Sequence, residues 1–178
     1  IGAVSTCRMV RFAQGRKNGA KVVALDSRQS ETASKADEWI SIRPGTDLDF
    51  CLAMLKIMLD EKLYDADFLM RHSNMPFLSY RDAEGQWQLA LDAQGQPRVV
   101  QERTSIIRTL PAVTNDNTTD VDGTAFFPAL YAPPGLKLDG REVVTVLQAQ
   151  LDEVKSYTPE WAEHSTGIAA STIRRIAR

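Results

Sequence analysis

The first third of the chain alternates between helical and strand-like spacing of its apolar positions. Residues 3–18 carry apolar side chains at helical intervals, and Gly19 follows where a helix would end. Two short apolar runs, residues 21–25 and 38–42, have the composition of buried strands, and Ser30 can cap a short helix between them. Helices and strands that alternate at such short intervals predict parallel strands joined by crossover helices.

A longer helix is predicted after Pro44 and Gly45, which interrupt the apolar pattern. Thr46 has the position and chemistry of an N-cap residue. The leucines that follow are spaced by four, three and four residues, which predicts a stripe facing the core: Leu48, Leu52, Leu55 and Leu59. Cys51, and Cys7 in the first helix, fall within the same apolar patterns and are therefore predicted to be small core residues.

The middle of the chain has a different pattern, with short β-like runs separated by glycine and proline. Asp65 can cap a helix before this part begins. The runs 87–91 and 98–101 flank a turn and predict a β-hairpin. Residues 115–123 are polar, acidic and poor in apolar side chains, which predicts a surface loop.

Helical spacing returns in the last part of the chain. Residues 141–157 predict one helix, and Thr158 followed by Pro159 marks the start of another. The elements together predict an α/β fold, with a Rossmann-like parallel sheet, flanking helices and an irregular β-rich insertion. We expect a single domain over residues 1–178, with the β-rich and loop-rich insertion at residues 81–140.

Composition narrows the possible functions. The 21 Lys and Arg residues against 23 Asp and Glu residues leave a net charge of −2, so no bulk affinity for nucleic acid or anionic membranes is expected. No apolar run is long enough to span a bilayer. The cysteines and histidines are too few and too widely spaced for a disulfide framework, a zinc site or an iron–sulfur cluster: Cys7, Cys51, His72 and His164. We therefore expect neither catalytic nor metal-ligating residues in this chain.

Two loops follow the two predicted parallel strands, and each loop offers a carboxylate. The first contains Asp26, Ser27 and Arg28, and the second contains Pro44, Gly45, Thr46 and Asp47. Open parallel sheets bind ligands at the carboxyl ends of their strands. A carboxylate there can accept hydrogen bonds from ribose hydroxyls or from guanine, and Arg28 can pair with a phosphate. The alternative is structural, with Asp26 as a strand-end turn residue and residues 44–47 as a turn before a capped helix.

The segments around these loops form an ordered series along the chain. Residues 19–28 end an apolar strand in Asp-Ser-Arg, residues 36–39 read Ala-Asp-Glu-Trp, and residues 44–47 read Pro-Gly-Thr-Asp. This series strongly resembles the molybdopterin oxidoreductases of the dimethyl sulfoxide reductase family. The likeness continues through four later segments: 63–69, 157–161, 166–168 and 173–178. Residues 81–141 match only loosely.

The resemblance implies an α/β domain that binds the guanine nucleotide portion of a molybdopterin guanine dinucleotide. The family's first nucleotide-contacting loop matches Asp26, Ser27 and Arg28. Its second matches Pro44, Gly45 and Asp47, and the aspartate is expected to read guanine. Ser27 stands where the family usually has proline, which puts only the role of Ser27 in question.

The resemblance also implies a larger enzyme, of which this chain is expected to be a fragment that is inactive alone. That enzyme would carry molybdenum or tungsten on two molybdopterin guanine dinucleotides and catalyse two-electron redox chemistry by oxygen-atom transfer. Its iron–sulfur cluster would lie outside this chain. The implied partners are an iron–sulfur electron-transfer subunit and the rest of the catalytic subunit. The alternative is a non-catalytic α/β module for nucleotide binding or protein interaction, which an upstream Cys-x-x-Cys-x-x-x-Cys motif would exclude.

Overall fold

The computed structural model describes the backbone of residues 6–178 and the side chains of residues 10–178. The predicted burial of Cys7 therefore lies outside the described residues. The chain forms two compact units. The first unit comprises the residues up to Met58 together with Ser156–Arg178, and the second unit comprises Leu59–Lys155.

The chain alternates short helices and strands throughout. In order they are α1 (Thr6–Lys17), β1 (Val23–Leu25), α2 (Glu31–Ser34), β2 (Glu38–Ile40), α3 (Asp47–Asp60), α4 (Ala66–His72), β3 (Leu78–Arg81), β4 (Trp87–Leu89), β5 (Arg98–Val100), β6 (Ile107–Thr109), β7 (Lys137–Leu138), β8 (Arg141–Glu142), β9 (Val144–Thr145), α5 (Val146–Glu153), α6 (Pro159–Thr166) and α7 (Ala170–Ala177). None of the described helices is long and apolar enough to cross a membrane.

The first unit contains the predicted parallel strands. Strands β1 and β2 pair in parallel, with Val23 opposite Glu38 and Leu25 opposite Ile40, and helix α2 forms the crossover between them. The Ser30 hydroxyl caps α2 by accepting from the Ala33 N–H. A mixed α/β fold is therefore confirmed. Within residues 6–178 the parallel sheet has two strands, and the other strand pairs are antiparallel.

Of the predicted leucine stripe of α3, Leu59 is buried, and Leu52 and Leu55 are half-buried. The core of the first unit lies against other side chains of this helix. The buried side chains of this helix in that core are Phe50, Ala53 and Ile57, which are three and four residues apart. Leu48 is 67% exposed, and Cys51 is also exposed, so both core predictions are wrong. Apolar residues occupy more than one face of α3, so two apolar stripes satisfy the helical period and tertiary packing selects between them.

The second unit is built from antiparallel strands. Strand β3 lies between β4 and β9, β5 pairs with β6, and β7 pairs with β8. The predicted hairpin between residues 87–91 and 98–101 forms only next to its turn, because strand β4 pairs with β3 and strand β5 pairs with β6. At that turn Leu91 and Pro97 form an antiparallel bridge, and the Arg98 N–H donates to the Ala90 carbonyl oxygen at 3.1 Å.

Three turns of the second unit repeat one Asp-x-x-Gly geometry. The carboxylates of Asp82, Asp92 and Asp120 each accept the backbone N–H of the fourth residue along the chain, at 2.7, 2.8 and 2.8 Å. The glycine of each turn has φ +78°, a conformation that side chains disfavour: Gly85, Gly95 and Gly123. The Asp82 turn joins β3 to β4, which pair with each other, whereas the Asp92 turn lies between β4 and β5.

Residues 115–123 form the predicted irregular loop, and five of these nine residues are exposed, but two polar side chains of the loop are buried. Asn117 and Asp120 are buried, at 3% and 6% exposure. The Asn117 side chain donates to the carbonyl oxygens of Met70 and Ser73 at 2.9 and 2.7 Å. Asp120 pairs with Arg108 at 2.7 Å. These polar side chains are buried because each has partners that satisfy its hydrogen bonds.

The predicted helix over residues 141–157 begins later than expected. Its first part forms β8 and β9, and α5 starts only after Thr145, which caps it in a reciprocal pair with Gln148. The next helix, α6, is confirmed, with Thr158 as N-cap and Gly167 as its left-handed C-cap.

Candidate functional site

Both candidate loops leave the same edge of the parallel strand pair. Strands β1 and β2 run in the same direction and in register, and the backbone N–H of Asp26 extends their pairing by donating to the carbonyl oxygen of Ile40 at 3.2 Å. The first loop begins at Asp26, and the second follows Ile40. The two loops therefore start on neighbouring strands at their carboxyl ends, the usual ligand edge of an open parallel sheet.

The first loop folds around the carboxylate of Asp26. This group accepts the backbone N–H of Arg28 at 3.3 Å, and the backbone N–H of Ser30 donates to the Arg28 carbonyl at 2.8 Å. A hydrogen bond from the Ser30 side chain, then the Arg28 N–H and the positive charge of Arg28, lower the pKa of Asp26. Asp26 is therefore ionised at neutral pH, and the side chains of Ser27 and Arg28 are exposed beside it.

Trp39 also holds the first loop, although it was not predicted as a site residue. Its indole Nε1 donates to the backbone carbonyl oxygen of Asp26 at 3.0 Å. An aromatic residue within an apolar run normally predicts core burial. The Trp39 side chain is instead 37% exposed, so the Ala-Asp-x-Trp motif is the sequence signal that identifies it.

The second loop presents Asp47 at the first position of α3. Gly45 has φ +82°, and a side chain there would meet open space, so the backbone conformation is what favours glycine. Thr46 closes the turn, since its backbone N–H and its hydroxyl both donate to the carbonyl oxygen of Arg43, at 3.3 and 2.8 Å. Pro44, Gly45 and Asp47 are exposed. The start of a helix favours a carboxylate such as that of Asp47.

Arg43 ties the second loop to the end of α6. Its guanidinium donates to the carbonyl oxygens of His164 and Ser165 at 2.8 and 3.3 Å. Its backbone N–H donates to the carbonyl oxygen of Thr166 at 3.0 Å. A Cβ atom on Gly167 would lie 3.5 Å from Arg43 Nε, so the guanidinium lies directly against this glycine. Because these residues are more than 120 positions apart, local sequence patterns could not reveal the contact.

The two loops together offer polar groups without a metal-ligand set. Their exposed or half-buried side chains include two carboxylates and one guanidinium: Asp26, Asp47 and Arg28. In the part of the chain that the structure describes, no group of three or more His, Cys, Asp or Glu side chains could hold a metal ion. Carboxylate acceptors with a cationic donor suit a ligand that carries N–H or hydroxyl donors and an anionic group, as a guanine nucleotide does.

The chain is similar over most of its length to molybdopterin enzymes. It is 30% identical over 168 residues to a sulfite dehydrogenase subunit of Allochromatium vinosum, and 31% identical over 166 residues to a putative dimethyl sulfoxide reductase catalytic subunit of Halobacterium salinarum. Each similarity covers 91% of this chain, but only 17% and 18% of those relatives.

A solved structure has a similar fold. Acetylene hydratase from Pelobacter acetylenicus matches 96% of this chain with a TM-score of 0.50 at 18% identity, and the match covers 14% of that structure. The family model for molybdopterin oxidoreductases matches residues 4–151. That range includes both candidate loops and confirms the resemblance seen in the motifs. The chain belongs to the molybdopterin oxidoreductase family.

Proposed function

We propose that this chain is the part of a larger molybdenum or tungsten oxidoreductase that binds the guanine nucleotide portion of a molybdopterin guanine dinucleotide. The observation that carries the proposal is the placement of two family motifs on loops at one edge of a parallel strand pair. The chain's part is to bind and orient the cofactor, which supplies the two-electron redox and oxygen-atom transfer chemistry when bound.

Four of the loop residues have roles that suit their chemistry. Asp47 accepts from the N1–H and exocyclic amine of guanine, since a carboxylate matches these two donors. Asp26, which is held ionised, accepts from ribose hydroxyls, and Arg28 pairs with a phosphate. Gly45 shapes the turn before Asp47. Ser27 follows Asp26 in the first loop and has no separate role here.

The parallel pair belongs, in this proposal, to a larger Rossmann-like sheet of the whole protein. Two strands alone are marginally stable in water, and parallel sheets are normally covered on both faces. Val23 on β1 and Trp39 on β2 are each 37% exposed, so apolar surface is left for further elements to cover. We assign the metal ligand, the iron–sulfur cluster and the surfaces that meet an electron-transfer partner to the rest of the protein. This chain alone should therefore contain no stoichiometric molybdenum and should not reduce N- or S-oxides.

Titration with nucleotides, followed by NMR shift mapping, tests the assignment of Asp47. Guanosine diphosphate should bind about tenfold or more tightly than adenosine diphosphate, because adenine presents an acceptor at N1 and leaves the carboxylate unmatched. Asp47→Asn should abolish this preference. Asp49→Asn is the matched control, since it removes the next carboxylate of α3 and should leave the preference unchanged.

Equal shifts for both nucleotides would contradict the proposal. So would guanosine shifts that persist unchanged in Asp47→Asn. Shifts confined to the residues of the second unit would place the nucleotide away from these loops and would equally refute the assignment.

A further inference from the structure

The second unit contains a cavity of about 540 Å³ whose walls combine tyrosines, cations and apolar side chains. The lining residues that carry the argument are Lys62, Tyr64, Met70, Arg103, Leu130 and Tyr131. Cavities of about 300–1,000 Å³ are typical of small-molecule sites. The cavity lies wholly in the second unit and contains none of the proposed nucleotide-binding residues.

Two residues that line this cavity have backbone conformations that their side chains disfavour. Lys62 has φ +54° and Arg103 has φ +59°. Among the described residues, the one other non-glycine position with positive φ is Asp139, in the turn between β7 and β8. A left-handed conformation costs a residue with a long side chain about 1–2 kcal/mol, whereas glycine or asparagine adopts it readily.

The local structure at both positions would accept glycine or asparagine. Lys62 follows the end of α3, where its N–H donates to the Leu59 carbonyl at 3.3 Å, and this is the position at which helices commonly end in glycine. Arg103 lies in the turn between β5 and β6. The sequence has a cation at both positions in spite of the conformational cost, and both cations line one cavity. Strain that recurs at one cavity is typical of a functional site.

The tyrosine pair supplies a hydrogen-bond donor to the same cavity. Tyr64 Oη and Tyr131 Oη are 2.8 Å apart, and burial, followed by the bond to Tyr131, raises the pKa of Tyr64 to about 12. The Tyr64 hydroxyl is therefore protonated at neutral pH. The bond between the two hydroxyls uses one proton, so one O–H can donate to a ligand. Lys62 Nζ lies 5.6 Å from the centre of the Tyr131 ring.

The carboxylates at this cavity do not neutralise both cations. Asp67 is engaged by Arg71, whose Nε lies 2.9 and 3.1 Å from its two carboxylate oxygens. Glu102 lies 3.7 Å from Arg103, whose side chain is 89% exposed, which is a weak surface contact. Lys62 and Arg103 therefore keep donors that can meet an anion.

We propose that this cavity binds a small organic carboxylate, with Lys62 and Arg103 contacting its charge and the Tyr64–Tyr131 pair donating to it. A guanidinium matches a carboxylate with two parallel hydrogen bonds. Met70 and Leu130 contact the apolar body of the ligand. The site is independent of the nucleotide loops.

Titration of the 178-residue chain with phenylacetate, and with neutral phenylacetamide, tests this proposal. Phenylacetate should shift the resonances of the cavity residues and bind at least about tenfold more tightly than phenylacetamide, because only the anion meets the two cations. Lys62→Asn and Arg103→Asn should each weaken phenylacetate binding at least about fivefold. Both variants should keep or raise the melting temperature, because asparagine relieves the left-handed strain.

Asp139→Asn is the matched control. It changes the third left-handed residue, away from the cavity, and should keep or raise the melting temperature without changing phenylacetate binding. Lys62→Gly provides a second variant of the same position if the asparagine variant folds poorly. Equal affinity for the acid and the amide would overturn the proposal. Unchanged phenylacetate binding in both Lys62 and Arg103 variants would do the same, and so would inorganic phosphate that binds the cavity as tightly as phenylacetate.

Discussion

The indole Nε1 of Trp39 donates to the backbone carbonyl oxygen of Asp26 at 3.0 Å. Trp39 lies on β2, and Asp26 is the first residue of the loop that follows β1. The bond therefore connects β2 to the loop after the neighbouring strand. It leaves the Asp26 carboxylate free to accept the Arg28 N–H and a ligand. The tryptophan side chain therefore positions Asp26 by binding the backbone of Asp26, not its carboxylate.

Trp39→Phe should lower the free energy of unfolding by about 0.5–1 kcal/mol more than Trp161→Phe does, because only the first change removes this hydrogen bond. Trp161 is a matched control, since it is also 37% exposed and its ring packs against Tyr157 with centroids 5.0 Å apart. Guanidinium denaturation of the two variants measures the difference. Equal losses would show that the Trp39–Asp26 bond contributes nothing to stability.

Arg43→Ala should lower the free energy of unfolding by about 1–2 kcal/mol, because the carbonyls of His164 and Ser165 lose a charged donor. Arg43→Lys should recover part of this loss, since an ammonium can reach one carbonyl but lacks the guanidinium geometry. Urea denaturation measures both variants. Arg175→Ala, which breaks an exposed ion pair with Glu38, is the control and should have a smaller effect. If Arg43→Ala were no more harmful than this control, the contact with α6 would have no role in stability.

Acid should destabilise the fold partly through Asp120. The N–H of Thr124, and then Arg108, lower the pKa of this carboxyl below its ordinary value of 3.8. A carboxyl whose pKa is lower in the folded state than in the unfolded state stabilises the fold at a pH above its pKa in the unfolded state. This stabilisation is lost as the pH falls through the pKa of the carboxyl in the folded state. We therefore expect the free energy of unfolding to decrease when the pH is lowered below about 4. The fall should be shallower in Asp120→Asn, as urea denaturation between neutral pH and about pH 3 would reveal.

Asp122→Asn provides the comparison for this experiment. It changes an exposed carboxyl two residues away and leaves the pair between Arg108 and Asp120 in place, so it should keep the wild-type pH dependence. An identical acid slope in wild type and Asp120→Asn would contradict the role assigned to the Arg108–Asp120 pair.

The two apolar stripes of α3 can be distinguished by truncation. Ile57→Ala should cost about 2–4 kcal/mol, because Ile57 is buried among the side chains of the first core. Leu48→Ala should change stability by no more than about 0.5 kcal/mol, since Leu48 is 67% exposed. Thermal or chemical denaturation separates these outcomes. A larger loss at Leu48 than at Ile57 would favour the leucine stripe as the buried face.

Local signals predicted much of the first unit. Ser30 and Thr158 cap their helices as their sequence contexts indicate, and the two apolar runs form the expected parallel pair. The candidate loops could be named from sequence because they follow those strands and carry family motifs. Trp39 and Arg43 could not, because their roles depend on which backbone carbonyls the fold brings near them.

The errors concern the choice between partners that satisfy the same local pattern. Helix α3 offers two apolar stripes, and burial of Phe50 in place of Leu48 depends on packing with distant residues. Strand β4 has an Asp-x-x-Gly turn on each side, at Asp82 and Asp92, so turn chemistry alone does not decide that it pairs with β3. Asn117 is buried because it satisfies two carbonyls of a helix end more than 40 residues away, which polarity alone does not indicate.

The two units differ in how soon each can be completed during synthesis. The second unit is one continuous stretch, and the Asp-x-x-Gly turn at Asp82 closes its β3–β4 hairpin, so this pair can form as soon as both strands have been made. The first unit needs both ends of its chain, and the guanidinium of Arg43 meets carbonyls 121 and 122 residues further along. During synthesis the second unit can therefore fold before the first unit, although the first unit begins earlier in the sequence. The residues before Leu59, which include both candidate loops, can pack fully only after α6 and α7 have been made.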